Sequence, residues 1–207
     1  MEKFYKKIMG ANFIGSEELL KINAGFGFFL PKKVIPAIPI SLEKAKSLKK
    51  DCILILGVPG VTINKMRKVF GFDPKRSEPC FYNQDWYSNE KFAKETTLDF
   101  RWYLIKKTID DKTRGRNPKS FEKNTAKQKK FPSAVLVVFT FFAYYFLNKK
   151  EILWKNDFIW CDDKDFSGDQ VYVGRYKDPK GINKNGFNIH RHLSIKKNYG
   201  FLWQIKI

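Results

Sequence analysis

The sequence predicts an α+β fold rather than a regular βαβ alternation. Helix and strand signals are interleaved as far as residue 147, and short strands alone follow over residues 153–200. The pivot of that order is FPSAVLVVFTFFAYYFL, residues 131–147. It is apolar round its whole circumference, which marks a long buried helix near 133–147. It is short for a membrane span, carries a Pro and several hydroxyls, and has lysines on both sides. The chain has 207 residues, 43% of them hydrophobic and 16% aromatic, enough for a single domain, 1–207, with a sizeable core.

Taken in order, residues 4–14 read as a first strand. Gly15 breaks it, and Ser16 caps a short helix, SEELLKI, whose Glu17 and Glu18 suit the positive end. GFGFFLPKKVIPAIPI holds several Gly and Pro and reads as an irregular connection. Ser41 is the expected N-cap of LEKAKSLKK, a helix with lysines where its dipole favours cations. DCILILGVP is a continuous apolar run ended by Gly and Pro, hence a buried strand. Thr62 caps INKMRKVF and Gly71 stops it. Residues 73–95 read as a packed, aromatic-bearing loop with a helix starting after Ser88. FRWYLIKK alternates and reads as a strand, and RGRNPKSFEKNTAKQKKFP as a basic connection with a helix over 120–129. Beyond the central helix, Phe158, Trp160, Val171 and Val173 alternate with polar or small residues, and DDKDFSGD and KDPKG supply the turns.

Forty Lys and Arg against 21 Asp and Glu leave a net charge of +19. That surplus draws polyanions, or it reflects a lysine-rich composition spread along the chain, and both readings stay open. Arg114, Arg116 and Lys119 form a basic loop, read as solvated and, alternatively, as a phosphate contact. Cys52, Cys80 and Cys161 make no CxxC pair, which points to a reducing compartment. The N-terminal stretch lacks the apolar core of a signal peptide, so an intracellular or virion-associated location is expected.

The candidate chemistry is sparse. GVPGVTINK stands between a strand and a helix but lacks GKS or GKT, so it reads as a turn. DKDFSGD sets Asp163, Asp165, Ser167 and Asp169 at alternate positions round Gly168, as a calcium loop requires, but Gly174 stands where the closing Glu belongs. A hairpin turn with solvated carboxylates is the plainer reading. His190 and His192 share a strand face without enough partners for a metal site. Glu122, Glu151, Asp157 and Asp178 fall in no constellation with a base and an orienting group, so no catalytic residue, metal or cofactor is assigned.

What distinguishes residues 153–201 is their decoration: Tyr172, Arg175, Tyr176, Asn183, Asn185, Asn188, His190, Arg191, His192, Asn198 and Tyr199. Large amphipathic and adaptable polar side chains of this kind belong to binding surfaces. The order LWKND, Cys161, then DKDFSGDQVYVGRY and DPKGI, followed by an Asn-rich stretch and a late Gly, resembles the ends of variable proteins of diversity-generating retroelements, archaeal or viral in type. The likeness covers about the last quarter of the chain, while SEPCFYNQDWY and FRWYLIKK look like what precedes such a region.

The resemblance implies a C-type-lectin-like fold, in the branch shared with formylglycine-generating enzymes. It also implies a non-enzymatic protein whose C-terminal residues are diversified by adenine substitution to bind a macromolecular partner, a protein before a nucleic acid. Asn183, Asn185, Asn188, His190, His192, Asn198 and Tyr199 fit the restricted codon alphabet of such sites, as do Tyr172, Arg175 and Tyr176. Lys184, Lys196 and Lys197 do not. Variation of that kind needs side chains facing solvent from a fixed backbone, here Val171, Val173, Gly174, Ile182, Ile189, Leu193 and Trp203. The closing GFLWQIKI is more apolar than such an end requires and is expected to pair back into a sheet. The alternative is a basic nucleic-acid-binding protein, including a metal-dependent nuclease.

Overall fold

The computed structural model describes residues 1–28, 30–73, 79–122, 129–176, 186–191 and 195–207. The fold is α+β, with two mixed sheets. The chain opens with helix α1 (Glu2–Met9) where a strand was expected. The reason is periodicity: Tyr5 and Met9 are buried four residues apart on one face, with Glu2 in the first turn and lysines in the last. Only Phe13–Ile14 is extended, as strand β1.

Helix α2 (Ser16–Phe26) begins after Gly15, not at a serine cap. The Gly15 amide donates to Glu18 Oε2 at 3.1 Å, and Lys6 pairs with the same carboxylate at 3.1 Å. Helix α3 (Leu42–Leu48) has the expected cap, with Ser41 Oγ accepting from the Lys44 amide. Strand β2 (Cys52–Leu56) is buried along its whole length. Helix α4 (Ile63–Phe70) is capped by Thr62 and ended by Gly71, and the short α5 (Lys91–Lys94) follows Glu90. Strand β3 (Trp102–Lys106) pairs antiparallel with β2. The expected helix over 120–129 is shorter: α6 spans Lys119–Glu122, residues 123–128 lie outside the described set, and Lys129–Lys130 form strand β4.

Helix α7 (Ala134–Leu147) is the centre of the molecule, and its residues from Ala134 to Tyr145 are all buried. It packs on α2, α4 and α5 on one side and on the C-terminal sheet on the other. Phe142 stacks on Phe70 at 4.2 Å and on Phe81 at 5.2 Å, while Phe141 meets Phe187 at 4.5 Å. Ser133 caps the helix, and Asp163 Oδ2 accepts from the Ala134 amide at 2.5 Å. Among the described residues no helix is long and apolar enough to cross a membrane.

The C-terminal sheet contains β5 (Phe158–Lys164), β6 (Gln170–Tyr176), β7 (Gly186–His190) and β8 (Tyr199–Gly200), in the order β7-β6-β5-β8. The closing β9 (Gln204–Ile205) does pair back, but into the other sheet, whose order is β1-β2-β3-β9-β4. Trp160, Tyr172 and His190 share a rung, as do Phe158, Gly174 and Asn188. The strand pleat therefore puts Val171, Val173 and Ile189 on the face toward α7 and Tyr172, Asn188 and His190 on the other. Cys52, Cys80 and Cys161 are buried free thiols, and burial lifts Cys52 to about 11.

Gly174 is fixed by close approach. A Cβ there would collide with the Asp157 carbonyl and the Phe158 ring of the neighbouring strand. Gly174→Ala is expected to cost roughly 1–3 kcal/mol, and Phe142→Ala roughly 3–5 kcal/mol. Urea melts check both, and a Phe142→Ala cost no larger than that of an exposed substitution would contradict the central role of α7.

Candidate functional site

The outer face of the C-terminal sheet is not open to solvent. A second apolar cluster covers much of it: Phe158, Trp160, Tyr172 and Tyr199 from the sheet, with Phe131, Phe201 and Trp203 above. Tyr172 lies at its centre, with Trp160 and Tyr199 each 4.9 Å away and the His190 imidazole stacked at 5.8 Å. The expectation that the polar set faces solvent is therefore corrected for several members. Tyr172 is 0% exposed, Asn188 and Tyr199 are 3% exposed, and Arg175 is 8% exposed. For Tyr172 and Tyr199 the physical reason is the apolar chain end: Phe201 and Trp203, leading into β9, roof a face that alternation alone leaves bare.

His190 and Asn198 are half-buried. Tyr176 lies in β6, but its side chain is outside the description, and Asn183, Asn185 and His192 lie outside the described residues, as do the scaffold positions Ile182 and Leu193. Val171, Val173, Ile189 and Trp203 are buried, as a scaffold requires.

Beside the aromatic cluster the sheet opens into a cavity of about 350 Å³. Arg175, Asn188, His190, Asn198 and Tyr199, singled out from sequence, all line it. They reach it from β6, from β7 and from the segment running into β8, so the sheet brings together residues distant along the chain. The remaining walls were not foreseen: Tyr82, Lys155, Asn156, Phe158 and Lys196. Tyr82 arrives through a bridge between Phe81 and Phe187, where the Tyr82 amide donates to the Phe187 carbonyl at 2.9 Å. Asn156 is joined to Asn198, whose Nδ2 donates to the Asn156 carbonyl at 3.2 Å. Burial holds His190 below its ordinary value, so the imidazole is neutral at pH 7. Asn188 Oδ1 is buried and accepts no hydrogen bond.

The acidic turn is held by its own amides and by an arginine. Asp165 Oδ1 accepts from the Ser167 and Asp169 amides at 2.8 and 2.9 Å, and Oδ2 pairs with Arg191 at 2.6 Å. The Arg191 guanidinium also lies 3.8 Å from Glu90 and 4.4 Å over the Trp86 ring. Arginine thus locks the end of β7 to the turn. Among the described residues, this loop included, no group of three or more His, Cys, Asp or Glu is placed to hold a metal ion. Arg114, a phosphate-contact candidate, is committed as well, at 2.7 Å to Asp157 and 2.7 Å to Asp111. That pairing also engages Asp157, one of the candidate acids. Glu151 lies 3.4 Å from the Tyr144 hydroxyl, and Asp178 is outside the described residues.

No family model, curated protein or solved structure matches the chain.

Two aspartates near one turn should respond to pH with opposite sign. Burial raises the Asp163 carboxyl to about 6, against the bond from the Ala134 amide, from an ordinary 3.8. Its stabilising contribution is then full below pH 3.8 and lost as pH rises through about 6. Burial also works to raise Asp165, but Arg191 and the turn amides outweigh it and leave it lowered, so its contribution is lost as pH falls. The melting temperature of Asp163→Asn relative to wild type is expected to climb by about 4–8 °C between acid and neutral pH. A flat difference across that window would overturn the assignment. Arg191→Met should cost roughly 3–5 kcal/mol by stranding the Asp165 charge, with part restored by adding Asp165→Asn, as read by denaturant melts.

Proposed function

We propose that this is a non-catalytic ligand-binding protein and that the cavity beside the aromatic cluster is its binding centre. One observation carries the reading: Arg175, Asn188, His190, Asn198 and Tyr199, from separate parts of the chain, converge on one concave site. A concave site with polar groups on an apolar floor is the usual form of a ligand pocket. Packing around α7 and the aromatic cluster fixes the walls before binding, which lowers the entropic cost of capture. On this reading a partner macromolecule, a protein in the first instance, inserts a projecting group.

The finer proposal is a C-type-lectin-like scaffold of the retroelement type. It is supported by the four-stranded C-terminal sheet backed by a buried helix, and by the Asn, His and Tyr residues at the cavity. Diversification then falls on the partly exposed rim, His190 and Asn198, with Asn183, Asn185 and His192 as further proposed positions. Phe158 and Tyr199 form the apolar part of the lining, Tyr172 packs against both, and all three stay fixed. The net charge of +19 favours nucleic acid as a second reading. A steep loss of DNA affinity with salt would support it, because phosphate neutralisation releases counterions.

A saturation library should tolerate most residues at His190 and Asn198 and few at Tyr172. Side-chain resonances of Asn188, His190 and Asn198 should be the first to shift in a fragment screen by NMR. Shifts confined to other surfaces would falsify the assignment of the cavity.

A further inference from the structure

The sequence LPKKVIPAIPI, residues 30–40, lies between α2 and α3 and shares no residue with the lining of the cavity. Residues 34–39 run without helix, strand or bend, and none of them has a positive φ. Pro36 and Pro39 fix their own φ and hold Ile35 and Ile38 extended. The segment therefore carries the covalent constraints of a polyproline II helix, which has three residues per turn. Exposure follows that period. Ile35 is half-buried and Ile38 buried on one face, and Lys33 and Pro39 are exposed on a second, with Pro36 half-buried between them. Val34, 93% exposed, and Ala37 stand open on the third.

The core holds this segment from beneath. Trp102 Nε1 donates to the Pro36 carbonyl at 2.8 Å, and the Tyr5 hydroxyl donates to the Ile40 carbonyl. Among the described residues, 34–39 make no backbone–backbone hydrogen bond. A groove of about 580 Å³ runs beside them, against the start of α1, with Met1, Val34, Pro36 and Ile38 in its walls. Lys32 and Lys33 are exposed and form no ion pair among the described residues.

We infer that residues 33–39 are a docking ridge for a protein domain that reads polyproline II segments through an aromatic-lined groove with an acidic end. Lys33, Pro36 and Pro39 set one cation and two prolines along a single face. Such a groove grips two faces of a three-sided helix, and two are open here while the third is already buried. The partner's rings pack on Pro36, Pro39 and the groove beside Val34, and its carboxylates meet Lys32 and Lys33. The ridge is ordered before contact, which lowers the entropic cost of docking. Prolines at 36 and 39 supply no N–H, which disfavours addition of a strand.

Isotope-labelled intact chain, titrated with isolated SH3, WW and EVH1 domains, should show NMR shifts at the Val34 and Ala37 amides with at least one of them. Lys33→Glu/Pro39→Ala should weaken that binding about tenfold or more. The melting temperature should move by less than about 4 °C, since both side chains are exposed. Silence at Val34 and Ala37 across all three domain classes overturns the inference, as does binding that survives the double substitution. Exchange protection of the Ala37 and Ile38 amides in a complex identifies strand addition instead and overturns it too.

Discussion

A helix that is apolar on every side has one stable location, with other elements packed all round it. Helix α7 imposes that condition here. Helices α2, α4 and α5 cover one side, the C-terminal sheet covers the other, and stacked phenylalanines fill the contact. Its N-terminus is held by a carboxylate from the sheet itself, through Asp163 and the Ala134 amide. The sheet bearing the cavity is thus docked by packing and by a hydrogen bond at the helix end. Its position is a consequence of burying the helix.

The second constraint is the aromatic cluster on the far face. A four-stranded sheet with one face on a helix ordinarily presents the other to water, with polar residues on it. Here the chain returns, and Phe201 and Trp203 close over Trp160, Tyr172 and Tyr199 on the way to β9. The same residues that link the two sheets therefore deny solvent to half of the outer face. What is left open is the part toward Asn188 and His190, and there the cavity forms.

Much of this architecture is legible in the sequence where local signals are strong. Ser41, Thr62 and Gly71 mark helix ends because capping is a contact between near neighbours. The CILIL and WYLIK runs mark buried strands because burial on both faces leaves no polar positions. The first strand is misread because its aromatic and apolar content suggests a strand, although Tyr5, Ile8 and Met9 recur at helical spacing. The site is legible in half. Alternation separates Val171, Val173 and Ile189 from Tyr172, Asn188 and His190 correctly. It cannot report that Tyr172 is roofed, because the roof lies about thirty residues further on, in Phe201 and Trp203. Tyr82 leaves no local signal at all, since a bridge between Phe81 and Phe187 brings it to the cavity.

Burial and function meet at the rung of Phe158, Gly174 and Asn188. Gly174 lets β5 approach so closely that only the flanking side chains stand on that rung, one apolar and one polar. Asn188 is then held by strand pairing beside a ring, with its carbonyl oxygen unsatisfied. A free rotamer at the surface would turn that oxygen to water. A side chain fixed by the sheet cannot, so the folded state carries the cost of the unmet bond. The rung is thus held from both sides, by the close approach at Gly174 and by strand pairing at Asn188.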